Sequence, residues 1–174
     1  GAYSGLIQGE AIDKNGMLSV QCKKGVELLI DTQLVGTYNL PNVLAAIAIG
    51  VYFKVPLEKI KSAIENYSPS NSRSQLMQWK QNHIIMDAYN ANPSSMAVAI
   101  ENFRQLDNLN KVAILGDMFE LGEESLKEHA VVVASLSNQK SIVCHFVGAD
   151  FFVNSLDNEN FHFHPSFNDL SAYL

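Results

Sequence analysis

An α/β fold with a mainly parallel sheet is what this 174-residue sequence predicts, and two features predict it. From residue 83 onward β-rich apolar runs alternate with amphipathic helical stretches, the pattern of βαβ units. Ahead of them, an apolar helix over 39–53 follows a short β-hairpin, so the chain opens with sheet before it alternates. With 47% hydrophobic and 17% charged residues, it has the apolar content to bury one core or two small ones.

Residues 17–22 (MLSVQC) and 26–30 (VELLI) read as antiparallel strands separated by Lys23, Lys24 and Gly25. From Asn39 to Phe53 the chain is apolar nearly all round, with Pro41 tolerated in a first turn, which describes a buried helix. A second helix follows Pro56, where Leu57, Ile60, Ala63 and Ile64 form a stripe opposite Glu58, Lys59, Lys61 and Glu65. The segment SPSNSRS, Ser68 to Ser74, is the most polar and Pro/Ser-dense of the chain, so a boundary is expected there between units 1–68 and 69–174. Strands are then expected at 75–80 and 83–87 around a Gln81-Asn82 turn, with further strands at 111–115, 142–147 and 160–163. Helices are expected at 94–106, 123–136, 149–155 and 167–174.

Eighteen acidic against twelve basic residues leave a net charge of -6, so no basic footprint for a nucleic acid is present. No apolar run approaches the ~18 residues of a membrane span. Cys22 and Cys144 lie far apart in apolar strand-like segments and are expected to be buried, reduced thiols of a cytoplasmic protein. Among the five histidines no pair has metal-ligand spacing, and no zinc site is expected.

Open α/β sheets bind ligands beyond the carboxyl ends of their strands, which directs attention to the residues after each apolar run. HIIMD ends in Asp87 and continues AYNANPSS, which sets a carboxylate, a phenol and two amides before Pro93 starts a helix. Turn and cap chemistry accounts for Asn and Asp there, but the density of polar groups exceeds what one cap needs. A carboxylate at that place can accept both hydroxyls of a ribose. KVAIL continues GDMFELGEE, which sets Asp117 and Glu120 at the same edge, with His129 on the next helix. A loop and a helix N-terminus favoured by Glu123 and Glu124 is the plainer reading of that string. Arg73 is most simply a solvated charge, yet an Arg between two domains is placed to meet a phosphate bidentately. Asn39 and Asn42 share one face of a first helical turn, where one can cap and the other can meet an adenine edge.

The strings GTYNLPNVLAAIA (Gly36 to Ala48), NSRSQ (Asn71 to Gln75), DAYNANPSS (Asp87 to Ser95) and LGDMFELG (Leu115 to Gly122), followed by His129, resemble the Mur ligases in identity and order. The last two are most similar to the branch that adds D-alanyl-D-alanine to UDP-N-acetylmuramoyl-tripeptide. The resemblance implies the end of that family's central ATPase domain followed by its Rossmann-like C-terminal domain, with a mainly parallel sheet. It also implies an ATP- and Mg²⁺-dependent amide ligase of the bacterial cytoplasm, monomeric, working through an acyl phosphate. By similarity Asn39 and Asn42 face adenine, Arg73 reaches the phosphates, and Asp87 holds the ribose with Tyr89 and Asn90 beside it. Asp117 and Glu120, with Asn92, Ser94 and His129, belong on the substrate side, where the dipeptide's amine calls for carboxylates.

Two departures are local. Ser72 stands where the family usually has Gly, and Tyr38 where it often has His. A third is larger, because no G-x-x-x-x-G-K loop ending in Ser or Thr occurs, and the family's magnesium ligands are not here either. The chain is therefore expected to be a fragment without ligase activity of its own. Another ligase of the superfamily, tripeptide-forming or folylpolyglutamate-forming, and a non-catalytic nucleotide- or protein-binding module are the alternatives.

Overall fold

A computed structural model describes residues 7–70, 72–108 and 110–174. The chain divides into two compact units, the first running to Tyr89 and the second from Asn90 to Leu174.

The first unit opens with an antiparallel sheet of β1 (Gln8–Lys14), β2 (Met17–Lys24) and β3 (Leu28–Val35), in the order β1-β2-β3. β1 is absent from the expected elements. The two-residue loop Asn15-Gly16, with both φ values positive at 57 and 84°, makes the tight turn whose twist matches the paired strands. Alternate residues Leu18, Val20 and Cys22, with Leu28 and Ile30 opposite, are buried against Val43 and Ile47 of α1 (Leu40–Tyr52) and Ile60 of α2 (Leu57–Glu65). The period-two and period-3.6 stripes thus meet in one core. β4 (Gln75–Trp79) and β5 (Asn82–Met86) form an antiparallel pair of their own, turning at Lys80-Gln81, one residue earlier than expected. Because this hairpin groups with the first unit, the division falls downstream of the Ser68–Ser74 segment.

The second unit alternates helix and strand, with α3 (Pro93–Gln105), β6 (Lys111–Gly116), α4 (Ser125–Leu136), β7 (Ile142–Val147), α5 (Ala149–Val153), β8 (Phe161–His164) and α6 (Phe167–Tyr173). β6, β7 and β8 pair in parallel, Ala113 opposite Cys144 and Cys144 opposite Phe161. The expected parallel sheet is present in these three strands, whereas the HIIMD strand, β5, pairs with β4 alone among the described residues. One face of the sheet packs Cys144, Phe146 and Phe161 against Met96 and Ile100 of α3, Val132, Val133 and Leu136 of α4, and Phe151 of α5.

The opposite face carries a stack of imidazoles. His145 on β7 lies 4.9 Å from His162 and 5.3 Å from His164 on β8, ring centroid to ring centroid, and Tyr173 of α6 rests on all three. His145 Nδ1 and His164 Nε2 share a hydrogen bond of 3.1 Å. Burial, and then the positive charge that His162 and His164 can carry, push His145 below the ordinary histidine range. Below about pH 6.5 the unfolded chain takes up a proton that this site refuses, so stability falls as pH drops and is intact above that value. Thermal unfolding followed from about pH 7.5 to about pH 5.5 should show a falling Tm, with a shallower slope in His145→Phe.

Cys22 and Cys144 are both buried and unpaired. Burial raises both thiols, Cys144 to about 11. Among the described residues no helix is long and apolar enough to cross a membrane.

Candidate functional site

In the first unit the motif residues converge on two turns. The segment Ser72–Ser74 bends sharply, Ser72 and Ser74 both having left-handed backbone (φ 56 and 49°). A residue with a Cβ is strained there, which is the physical reason a glycine suits position 72. The turn is held by the Ala88 N–H donating to the Ser72 carbonyl at 2.8 Å, and by the Ser74 N–H donating to Asp87 Oδ1 at 3.4 Å. Ser74 is buried, and its hydroxyl hydrogen-bonds the Tyr38 phenol at close range. Burial, with a contribution from the Asp87 charge, raises the Tyr38 hydroxyl above the ordinary phenol range, which keeps it protonated. This contact ties the turn before α1, where the asparagines begin, to the turn that carries Arg73.

Arg73 points outward, its guanidinium carbon 3.7 Å from the centroid of the Tyr89 ring. Stacking of this kind fixes a flexible cation in one plane while leaving its N–H fork open to an anion. Arg73, Asp87 and Tyr89 are all exposed, so one patch offers an oriented cation, a carboxylate acceptor and an aromatic face. Asn39 spends its amide on the Val35 carbonyl (2.9 Å), and its Oδ1 accepts from Asn42 Nδ2 (3.1 Å). Neither side chain caps α1. Asn42, the exposed member of the pair, keeps one N–H and its oxygen clear of protein partners among the described residues, the donor-acceptor pair that an adenine edge matches.

In the second unit the plainer reading holds for Asn92. Its Oδ1 accepts the Ser95 N–H at 2.9 Å and the Ser94 hydroxyl at 2.8 Å, while Ser95 Oγ accepts the Asn92 N–H at 3.2 Å. This capping box secures the start of α3 and occupies both Asn92 and Ser94, residues expected on the substrate side. Asn90 is exposed just before it.

The string after β6 shows the largest difference from expectation. Asp117 turns its carboxylate inward to accept the N–H groups of Asp150 (3.1 Å) and Phe151 (3.0 Å), which fastens the end of β6 to the first turn of α5. His129 is fully buried. Its Nε2 accepts the Met118 N–H at 2.9 Å, so that nitrogen is the unprotonated one and Nδ1–H donates to the Ser125 carbonyl at 2.7 Å. The 3.5 Å approach of Nε2 to Asp117 Oδ1 is therefore not an ion pair. Ser125 Oγ donates in turn to Asp150 Oδ2 at 2.5 Å. His129 is thus closed off from the surface and the Asp117 carboxylate is engaged by main-chain N–H groups, so in this structure both residues, expected on the substrate side, hold the fold. Of Asp117, Glu120 and His129, Glu120 alone is exposed, at φ 65°, beside the outward-facing Phe119.

Asp117, His129 and Asp150 are also the one group of three metal-capable side chains among the described residues, their ligand atoms lying within 4.8 Å of one another. Both His129 nitrogens and the carboxylates already have protein partners, so the group does not fit a cation site. Sequence reasoning overlooked Tyr38 as a tether, and Gly148 and Asp150 after β7. The rule that drew attention to Asp87 and Asp117 applies equally to VGAD, the end of the next apolar run.

Residues 72–173 match the family described as "Mur ligase, glutamate ligase domain". The UDP-N-acetylmuramoyl-tripeptide--D-alanyl-D-alanine ligase of Buchnera aphidicola subsp. Baizongia pistaciae is 30% identical over 152 residues, which cover 76% of this chain and 33% of that protein. The Bacillus subtilis protein of the same name is 34% identical over 119 residues, 67% of this chain and 26% of its own length. A crystal structure of MurF from Acinetobacter baumannii superposes with a TM-score of 0.88 at 23% identity, covering 99% of this chain and 39% of that one. The chain thus spans about a quarter to a third of the length of the curated relatives it matches.

Proposed function

The chain belongs to the Mur ligase family, and on that footing we propose that it is part of an ATP-dependent amide ligase of peptidoglycan precursor synthesis. The whole protein adds D-alanyl-D-alanine to UDP-N-acetylmuramoyl-tripeptide, the reaction named for the relatives above. The observation that carries the reading is the exposed patch in which Arg73 is stacked on Tyr89 beside Asp87. It brings together, within the first unit, Arg73 of the string NSRSQ and Asp87 and Tyr89 of the string DAYNANPSS.

In this reaction the γ-phosphoryl group passes from ATP to the tripeptide's terminal carboxylate, giving ADP and an acyl phosphate. The dipeptide's amine attacks the acyl carbon, phosphate leaves, and the nitrogen gives up its proton. Phosphoryl transfer is catalysed almost wholly by positioning and charge stabilisation. Arg73 supplies a fixed positive charge for the phosphates, Asp87 accepts ribose hydroxyls, and the Asn42 amide meets adenine. Magnesium, when bound, would neutralise phosphate charge, and among the described residues the one metal-capable group, Asp117, His129 and Asp150, is already engaged by protein partners. We place the protein in the bacterial cytoplasm as a monomer, a setting in which unpaired buried cysteines are ordinary.

Phosphate release by the full-length protein, given UDP-N-acetylmuramoyl-tripeptide, ATP and Mg²⁺, should require D-alanyl-D-alanine. Asp87→Ala should lower kcat/KM about 100-fold while the protein stays folded. The 174 residues alone, lacking the phosphate-cradling loop, should show no turnover. Release that ignores the dipeptide, or that demands a different amine, overturns the substrate assignment.

A further inference from the structure

We propose that His129 is a positioning residue that shapes the loop carrying Phe119 and Glu120, and through it the site for the incoming amine. The proposal rests on the ligase reading. An imidazole in a protein interior is costly unless both nitrogens find partners, and His129 finds both on main chain, the Met118 N–H on one side and the Ser125 carbonyl on the other. It therefore bridges the loop after β6 to the first turn of α4, with its ring packed edge-on against Phe151 at 4.5 Å. Met118 itself is buried, whereas Phe119 is 78% exposed and Glu120 has left-handed backbone. Among the described residues the main chain of Phe119 and Glu120 makes no hydrogen bond to the rest of the unit, so the Met118 N–H is the last fixed point before the loop tip. A non-glycine residue at φ 65° persists only where its surroundings impose it: the bond to His129 Nε2 fixes the loop on one side of Glu120, and on the other Leu121 packs on the core with its carbonyl accepting the Glu124 N–H.

Two amide substitutions separate the nitrogens. His129→Gln carries an oxygen far enough out to accept the Met118 N–H, while His129→Asn reaches only as far as the Ser125 side. In the full-length protein His129→Asn should raise KM for D-alanyl-D-alanine about 10-fold with KM for ATP unchanged, and His129→Gln should restore most of the loss. Amide exchange at Met118–Glu120 should quicken in the Asn variant and stay slow in the Gln variant. Equal damage by both variants, or a rise in both KM values together, overturns the proposal, because that is the behaviour of a residue that merely fills space. If the wild type shows no dipeptide-dependent release, the ligase reading fails first. The exchange pattern then decides the loop's dependence on His129 by itself. Should the Asn variant fail to fold, nitrogen NMR of the wild type decides it, since a proton on Nε2 is incompatible with accepting from Met118.

Discussion

Gly148→Ala should destabilise the second unit by about 3 kcal/mol or more, the sum of a backbone penalty and a steric one. Gly148 follows β7 at φ 133° and ψ 168°, a conformation open to glycine and closed to residues with a Cβ. A Cβ built there lies 2.2 Å from the Asp117 carboxyl group, which cannot retreat because it accepts from Asp150 and Phe151. Combining Gly148→Ala with Asp117→Ala should cost less than the two single changes added together, since the second substitution removes the atoms that the first collides with. Denaturant unfolding of all three variants measures this coupling. Strict additivity would mean that the carboxylate does not close on the glycine.

Arg73→Ala in the full-length protein should lower kcat/KM for ATP about 100-fold or more, with little change in Tm because the side chain is exposed. Arg73→Lys should recover only part of the loss. An ammonium keeps the charge but neither the planar fork nor the stacking on Tyr89 that holds it in place. Tyr89→Leu should fall between wild type and Arg73→Ala, because the guanidinium stays but loses the surface that orients it. If Arg73→Lys matches wild type, a point charge is enough and the stack has no role in function. Steady-state kinetics at varied ATP separates these outcomes.

The elements of the second unit were legible because each one carries its own period. β7 came out at 142–147 as expected, and the strands near 111 and 161 and the helices near 94 and 125 differ only at their ends. β1 was not legible, because QGEAIDK alternates weakly and half of it faces water, although the Asn15-Gly16 turn beside it was a usable signal. The pairing of β5 was not legible either, since an apolar run does not say which strand will lie next to it. In the site, the structure separates exposed motif residues from interior ones. Arg73, Asp87 and Tyr89 came together in one patch, whereas Asp117, Asn92 and His129 proved to be satisfied from within. A motif string records which residues matter without recording whether each faces a ligand or the loop that presents it. That distinction needs the hydrogen-bond partners, which for Asp117 lie far along the chain at Asp150 and Phe151.

The two cysteines bear on how this protein can be watched at work. Thiol-selective reagents attack the thiolate, and a buried thiol at about 11 in Cys144, with Cys22 also raised, has almost none at neutral pH. The native chain is therefore a dark background for maleimide chemistry. A single cysteine introduced at Lys54 in the first unit and another at Glu123 in the second, both exposed, would take a donor and an acceptor dye without first stripping the natural thiols. Energy transfer between them would then read the separation of the two dyes with and without nucleotide.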